Sequence, residues 1–290
     1  MHSDARAQQM KAALYVVATP LGNLRDITLR ALDVLAAADL VAAEDTRRTQ
    51  QLLSHYTIHA RLMALHEHNE RQVAGNIIEL LSDGKSVAYV TDAGTPSISD
   101  PGAQLVAQVR EAGLLVIPVP GPSALTAALS VAGLNAPHFL FYGFLPSKSA
   151  ARRAVLSSLS ELPHALVFFE APHRLRQTLE DMTEAFGPDR VIVVAREITK
   201  VFETFQRCKL AQAQAWVTED ANRLRGEFVL IVEGNAASPT DPASTERTLE
   251  ILLSELPLKQ AVHLTAAITD TKKNVLYERA LELKRSTSRS

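Results

Sequence analysis

The sequence predicts an α/β protein with two α/β domains and a small helical module at its C-terminal end. Three observations predict this architecture. Short β-rich runs alternate with helical patterns, which is the sequence form of βαβ units in a mostly parallel sheet. The runs are continuously apolar, as expected for strands covered on both faces, and nearly every run ends in a polar loop. A chain of 290 residues, 47% of them hydrophobic, is long enough for two such domains.

The first α/β domain is predicted for residues 12–134, after a disordered polar lead-in at 1–11. Its predicted strands are 14–17, 39–43, 86–90 and 115–119. The predicted helices begin near Asp26, a suitable N-cap, and continue with 73–81, 102–112 and 124–132. Glycine follows each of the last two helices, in the position where it commonly ends a helix.

The second α/β domain is predicted for residues 135–235. Its strands are 139–144, 165–169, 191–194 and 227–232, with 201–206 as a candidate partner of 191–194. Its helices are 151–159 and a segment that starts near Pro172 and ends at Gly187. A linker rich in Ala, Ser and Pro is predicted at 236–245, and the helical module at 246–290 contains helical patterns at 246–253, 258–267 and 272–283.

Composition narrows the class of protein. A formal net charge of −2 disfavours a protein that coats nucleic acid by bulk charge, but it allows a local basic patch. The single cysteine, Cys208, rules out an internal disulfide and favours a reducing compartment. No segment approaches the ~20 continuous apolar residues of a membrane-spanning helix, and the polar start of the chain lacks a signal-peptide core. We therefore expect a cytoplasmic protein that does not enter a membrane.

The loops at the predicted strand ends are the candidate functional elements, because open α/β sheets bind ligands there. The loop 19–23 has one glycine, whereas pyrophosphate-binding loops need several, and no Walker A pattern occurs; this disfavours NAD and ATP. The densest polar cluster is 91–102, in which Asp92 and Asp100 offer carboxylates. Asp100 fits a helix N-cap equally well, because Pro101 follows it.

Two further loops carry mixed charges, at 170–174 and 196–200. Arg and Lys beside carboxylates suit an anionic substrate such as a phosphodiester backbone. The segment 120–124 opens a helix of small residues, which allows either close approach of a ligand or simple burial. The cluster 66–70 has no standard metal-ligand spacing, so we expect no metal site and favour polar lining or a helix cap.

One enzyme family shares an ordered set of segments with this chain: 15–24, 43–47, 66–70, 90–102, 119–124, 169–174, 195–200 and 225–228. This set resembles the tetrapyrrole methylase fold family, in which S-adenosylmethionine (SAM) binds in a cleft between two α/β domains. Porphyrin-modifying members carry Gly-Asp-Pro in the central loop, whereas this chain has Gly94, Thr95 and Pro96. The departure resembles the ribosomal RNA branch of the family, as do segments 258–261 and 272–277.

The resemblance implies a homodimer that transfers methyl groups from SAM to the 2′-hydroxyl of a cytidine in 16S ribosomal RNA of the small subunit. It implies that SAM is held by loop residues at the strand ends: Pro20, Asp92, Gly94, Thr95, Pro96, Ser99, Ser123, Ala124 and Glu170. We expect RNA contacts from basic residues of the same loops: Arg47, His173, Arg174, Arg196 and Lys200.

A ribose hydroxyl is a poor nucleophile until its proton is removed or shared, so a base is expected beside the methyl group. The candidates are Glu170, Glu197 and Asp92, and the sequence does not rank them. Replacing Arg196 by Ala is expected to weaken RNA binding and to leave SAM affinity largely intact. Two other functions stay open: a methyltransferase of a small, tetrapyrrole-like molecule, and a non-catalytic protein of RNA binding or ribosome assembly.

Overall fold

A five-stranded parallel sheet organises the first half of the chain in the computed structural model, which describes residues 10–66, 69–134, 137–235, 242–269 and 271–287. Its strands are β1 (Leu14–Val17), β2 (Leu40–Ala43), β3 (Leu62–Ala64), β4 (Val87–Val90) and β5 (Val116–Val119). They lie in the order β3-β2-β4-β1-β5, and every pair is parallel. The continuously apolar β2 and β4 are buried at every position, which confirms the prediction of strands covered on both faces.

Four helices cover this first sheet and bury apolar residues against it: α1 (Leu29–Ala37), α2 (Thr46–His55), α3 (Glu70–Ser82) and α4 (Ala103–Glu111). The next helix, α5 (Ala124–Val131), instead packs its apolar residues against the sheet of the second half of the chain. Neither α2, which has few apolar residues, nor β3, which has only three residues, was predicted from the sequence. The predicted N-cap Asp26 is wrong: it lies in a 3₁₀ turn, and the Thr28 side chain caps α1 by accepting from the Ala31 amide.

The second half of the chain forms another five-stranded sheet. Its strands are β6 (Phe139–Phe144), β7 (Ala165–Glu170), β8 (Val191–Arg196), β9 (Thr204–Lys209) and β10 (Phe228–Val232). The order is β6-β7-β10-β8-β9, and only β6 and β7 are parallel. The mostly parallel arrangement predicted from the strand–helix alternation of the first half therefore does not extend to this sheet. One reason is that β8 and β9 are joined by a short loop without a crossover helix, so they pair as an antiparallel hairpin.

Three helices pack in this half: α6 (Ser149–Leu159), α7 (Leu175–Phe186) and α8 (Leu210–Glu219). Helix α8 was not predicted from the sequence, and α7 begins three residues after the start predicted near Pro172. The candidate strand 201–206 is displaced to β9. A buried ion pair joins α6 to α7, since Nε of Arg152 donates to the Asp181 carboxylate over 2.6 Å.

Both sheets belong to one compact unit, made of the residues up to Ser157 together with Ala165–Glu233. The predicted boundary at 134–135 therefore lies inside this unit. Of the predicted lead-in, residues 1–9 lie outside the described part of the chain, whereas Met10 packs against the first apolar core.

A second unit contains residues 158–164 and the chain from Gly234 onward. Its helices are α9 (Pro242–Glu255), α10 (Leu258–Thr269) and α11 (Lys273–Thr287). They bury a small apolar cluster of Leu249, Val262, Leu276 and Ala280, as expected for a helical module. Because α9 begins at Pro242, the predicted linker 236–245 extends into this helix. Residues 236–241 lie outside the described part of the chain. Within the described residues, no helix is long and apolar enough to cross a membrane.

Candidate active site

A cavity of about 400 Å³ opens where strand-end loops of the first sheet face those of the second. This volume lies within the range of ordinary small-molecule sites. The residues around the cavity come from β1, β2, β4 and β5 on one side and from β6, β7, β8 and β10 on the other. Its polar lining consists of Glu44, Arg48, Asp92, Thr95, Asp100, Ser123, Glu170 and Glu227. Its apolar lining includes Leu21, Ile98, Phe144, Phe169, Ile198, Phe228 and Val229.

The loop that follows β4 forms one wall, and short hydrogen bonds fix its path. Thr19 and Gly94 exchange backbone N–H···O bonds, each 2.9 Å long, which tie this loop to the end of β1. Gly94 has a φ of +81°, a conformation that suits glycine. The Thr95 hydroxyl donates to the Pro122 carbonyl over 3.1 Å and links the same loop to the segment before α5. The predicted residues Asp92, Gly94 and Thr95 therefore reach the cavity on a fixed backbone.

The N-terminus of α5 forms a second part of the wall, through Ser123 and Ala124. Ser123 is the N-cap residue, but its side chain makes no capping bond to the helix. The first backbone amides of a helix lack partners within the helix, and the helix dipole adds partial positive charge there. This end of α5 can therefore receive a negatively charged ligand group.

Three carboxylates and one guanidinium lie together at the ends of β2 and β4. Asp92 pairs with Arg48 over 3.0 Å and accepts from the Asp45 amide over 3.2 Å, while Glu44 accepts from the Asp92 amide over 3.3 Å. Burial raises the pKa of Glu44. Burial is the main cause that raises the pKa of Asp100 to about 6, and the charge of Glu44 is the second. This end of the cavity thus holds carboxylates that bind protons more readily than exposed ones.

Asp100 does not cap a helix, although its sequence context allowed that reading. The N-cap of α4 is Gly102, and the carboxylate of Glu70 accepts from the amides of Gly102 and Leu105, over 3.1 and 2.9 Å. Glu70 is buried and comes from α3, so a distant residue caps α4. The Asp100 side chain is left to line the cavity.

Glu170 reaches the cavity wall, but both of its carboxylate oxygens are engaged. Oε1 accepts from the Ala171 amide over 2.8 Å and lies 3.2 Å from Nε of Arg174, and Oε2 accepts from the Thr178 hydroxyl. The Glu170 side chain is fully buried. Arg174 also donates to the carbonyls of Leu145 and Pro146. These contacts favour structural roles for Glu170 and Arg174 over the predicted roles of base and RNA ligand.

The loop after β8 is likewise held by internal contacts. Nζ of Lys200 lies 2.8 Å from Glu197 and 3.0 Å from Glu227. Burial alone would raise the pKa of Glu197, but hydrogen bonds from Lys200 and the Glu227 amide lower it below its ordinary value. A carboxylate that holds its charge this firmly is a weak proton acceptor, which disfavours Glu197 as the base. Glu197 is also not among the cavity-lining residues.

Arg196 is buried, and its guanidinium donates to backbone carbonyls. Nε donates to the Arg225 carbonyl over 2.6 Å and Nη1 to the Phe202 carbonyl over 3.1 Å. This geometry favours a structural role over the predicted phosphate contact. Replacing Arg196 is therefore expected to destabilise this loop and not to weaken RNA binding selectively.

The remaining predicted residues are either buried or exposed, and none of them is among the cavity-lining residues. Pro20 and Pro96 are buried, and neither is among the cavity-lining residues. Ser99 is exposed, and its hydroxyl lies close to the backbone of Gly143, where a larger residue would clash with it. Arg47 and His173 are exposed, so they are the predicted RNA ligands that solvent reaches most freely.

Several cavity residues were not assigned from the sequence, chiefly Glu44, Arg48 and the aromatic pair Phe144 and Phe169. The aromatic rings pack edge to face, 5.7 Å apart between centroids. Glu44 directly follows a predicted strand, so its position at a strand end was the signal that could have found it. Among the described residues, no group of three or more His, Cys, Asp or Glu could hold a metal ion. Of the cluster 66–70, Glu67 and His68 lie outside those residues.

Two family models match the chain. The one described as tetrapyrrole (corrin/porphyrin) methylases matches residues 13–214, and the one described as the RsmI C-terminal HTH domain matches residues 239–284. A ribosomal RNA small subunit methyltransferase I from Escherichia coli O157:H7 is 51% identical, covering 97% of this chain and 99% of its own length. A protein of the same name from Vibrio cholerae is 50% identical, covering 93% of this chain and 94% of its own.

Solved structures share the fold. A uroporphyrin-III-C-methyltransferase from Thermus thermophilus has a TM-score of 0.56 at 21% identity, covering 77% of this chain and 94% of its own. The cobalt precorrin-4 methyltransferase CbiF has a TM-score of 0.59 at 17% identity, covering 77% and 95%. At these identities the likeness shows the fold alone. Because the first family model covers more than half of the chain and relatives of about 50% identity span nearly all of it, the chain belongs to the tetrapyrrole (corrin/porphyrin) methylase family.

Proposed function

We propose that this protein transfers a methyl group from SAM to the 2′-hydroxyl of a cytidine in the 16S ribosomal RNA of the small subunit. The observation that carries the proposal is the match to relatives named ribosomal RNA small subunit methyltransferase I, at about 50% identity over almost the whole chain. The cavity supports the same activity, because the loop after β4, the N-terminus of α5 and a group of carboxylates all line it.

The cavity suits SAM in its charge and size. Five carboxylates and one arginine line it, and this excess of acidic side chains suits a sulfonium cation. The open N-terminus of α5 suits the carboxylate of the methionine portion, and Phe144 and Phe169 offer flat apolar surfaces to an aromatic ring. When bound, SAM supplies an electrophilic methyl group. We propose that Asp92, Gly94, Thr95, Ser123 and Ala124 contact it, with Pro20 and Pro96 supporting the loops from behind.

The acidic lining also bears on how an RNA substrate would approach the cavity. Phosphates are repelled by the carboxylates, so we propose that only the target ribose and base enter, while Arg47 and His173 meet phosphates at the exposed rim. An unpaired target nucleotide fits such local recognition. The helical unit, which matches the HTH model, is proposed to add RNA contacts. We also propose a homodimer that acts in the cytoplasm, and sedimentation equilibrium tests the dimer.

Methylation of isolated small subunits tests the proposed function. Subunits that lack the modification are incubated with the protein and SAM bearing a labelled methyl group, and the 16S rRNA is digested and analysed by mass spectrometry. We expect one modified nucleotide, with the label on the ribose of a cytidine. Label on a base would contradict ribose specificity. A protein that modifies a tetrapyrrole but no subunit would support the small-molecule alternative, and one that binds subunits without transferring label would support the non-catalytic alternative.

A further inference from the structure

A second cavity, of about 710 Å³, opens beside the first one. It lies between the loop that joins β8 to β9 and the segment that runs from the end of α8 to the start of β10. The two cavities share these walls, because Ile198 and Glu227 line the first while their chain neighbours Glu197 and Gly226 line the second. A polymer that places one unit in the first cavity can therefore place an adjacent unit in the second.

The loop side of the second cavity carries an exposed aromatic ring. Phe202 is 67% exposed, and the adjacent Val201 is 92% exposed. Both residues line the cavity at the turn of the hairpin formed by β8 and β9. An aromatic ring in this position adds little to the hydrophobic core, but it offers a free face on which another flat ring can stack.

The buried residue Arg196 fixes the backbone on both sides of the second cavity. Its Nε donates to the Arg225 carbonyl over 2.6 Å, and its Nη1 donates to the Phe202 carbonyl over 3.1 Å. The Thr204 hydroxyl also donates to the Phe202 carbonyl, over 3.2 Å. Phe202 and Arg225 therefore project from a fixed backbone, although both residues are exposed to solvent. Residues held in this way lose less freedom when a ligand binds.

Arg225 offers the second cavity a positive charge. It is exposed and lines the cavity, and within the described segments of the chain it forms no ion pair. Its guanidinium donates to the Asn222 side-chain oxygen over 3.5 Å, at the limit of a hydrogen bond. Arg225 is therefore available to an anionic ligand group such as a phosphate. The carboxylates that line the same cavity already accept hydrogen bonds or pair with Lys200: Glu197, Glu203 and Asp220.

The wall formed by α8 and the 3₁₀ turn Ala221–Leu224 carries a guanidinium that is held in place. The guanidinium carbon of Arg223 lies 4.9 Å from the centroid of the Trp216 ring. Nη1 of Arg223 donates to the Trp216 carbonyl and pairs with Glu219, each over 2.8 Å. Trp216 and Arg223 both line the cavity. An unpaired nucleobase stacks on aromatic rings and on guanidinium planes, and this cavity contains both.

We propose that the second cavity binds an unpaired nucleotide of the RNA next to the one that is methylated; this inference rests on the proposed function. Its base stacks on Phe202 and on Arg223, and its phosphate pairs with Arg225. A purely apolar partner fits this cavity less well, because it would bury Arg225 without a counterion. A bound neighbouring nucleotide fixes the position of the RNA, so that the target ribose reaches the first cavity in a constant orientation.

The first experiment replaces Phe202 with Ala, Leu or Trp and measures the affinity for isolated small subunits by co-sedimentation. Phe202→Ala and Phe202→Leu should each bind at least about fivefold more weakly, which is the lower end of the loss expected for one stacking contact. Phe202→Trp keeps an aromatic face and should bind within about twofold of wild type. The matched control Phe139→Ala removes a 48% exposed ring from β6, outside both cavities, and should bind as wild type does.

The second experiment replaces Arg225 with Ala and repeats the binding measurement over a range of salt concentrations. Loss of one phosphate contact on single-stranded RNA should lower the slope of log affinity against log salt by about 0.7. Phe202→Ala should keep the wild-type slope, because stacking alone releases no counterions. The control Arg110→Ala removes an exposed arginine from the last turn of α4 and should change neither slope nor affinity. SAM affinity and unfolding temperature should stay close to those of wild type in all these variants.

Normal binding of small subunits by Phe202→Ala or by Phe202→Leu would overturn the inference, and so would an unchanged salt slope for Arg225→Ala. A different mass of free Phe202→Ala in sedimentation equilibrium would also overturn it, because Phe202 would then belong to a contact between copies of the chain. A wild-type protein that binds small subunits but transfers no methyl group would overturn the proposed function, whereas these binding measurements test the RNA site without methyl transfer.

Discussion

Replacing Glu170 with Ala is expected to lower the free energy of unfolding by about 3 to 5 kcal/mol. The Glu170 carboxylate is fully buried and paired with Arg174, whose side chain is also mostly buried. Removing one partner leaves the other charge without compensation in a poorly hydrated place, and it also removes the acceptor of the Thr178 hydroxyl. Urea denaturation followed by circular dichroism measures the change.

The matched control for this prediction is Glu180→Ala, which alters an exposed glutamate on α7. Exposed substitutions of this kind usually change stability by no more than about 0.5 kcal/mol. If Glu170→Ala were as stable as Glu180→Ala and had lost methyl transfer, Glu170 would regain its place as a candidate base. A large loss of stability would instead assign it to the framework of the cavity.

Replacing Ala124 with Phe is expected to reduce SAM affinity by at least about 100-fold, which corresponds to about 2.7 kcal/mol. Ala124 is the first residue of α5 and lines the cavity, so a phenyl ring there occupies space that the ligand needs. The fold should survive, because Ala124 is only partly buried. Titration calorimetry with SAM measures the affinity, and thermal unfolding verifies the fold.

The control is Thr126→Phe, which adds the same ring to an exposed position of α5. It should bind SAM as wild type does, within about threefold. If both variants bound SAM normally, the cofactor would lie outside the cavity. If both lost binding together, damage to α5 would be the cause and blockage of the cavity would not.

Much of the fold followed from local patterns. Continuously apolar runs such as 87–90 are recognisable as buried strands, and the polar loop after that run was correctly expected at a strand end. The antiparallel pairing of β10 with β7 and β8 could not be predicted in this way. Apolar runs look the same in both pairings, and the direction of a strand depends on where the connecting segments lead.

The candidate site was less predictable from the sequence than the fold. Asp92 and Ser123 were identifiable because they lie in the loops that follow strands. The role of Asp100 was ambiguous, because the residue that caps α4 in its place is Glu70, on a different helix. Likewise, Arg196 suggested a phosphate contact until its bonds to the carbonyls of Phe202 and Arg225 were known. A charged side chain has the same appearance in sequence whether it faces a ligand or a backbone carbonyl, and only tertiary structure distinguishes the two.

The most direct measurement is the transfer of labelled methyl groups from SAM to isolated small subunits by three proteins in parallel: wild type, Ala124→Phe and Thr126→Phe. This measurement tests whether methyl transfer takes place in the cavity. We predict that wild type and Thr126→Phe label the ribose of one cytidine of 16S rRNA, and that Ala124→Phe, though folded, labels none. Full labelling by a folded Ala124→Phe protein would contradict the assignment of the cavity as the site of methyl transfer.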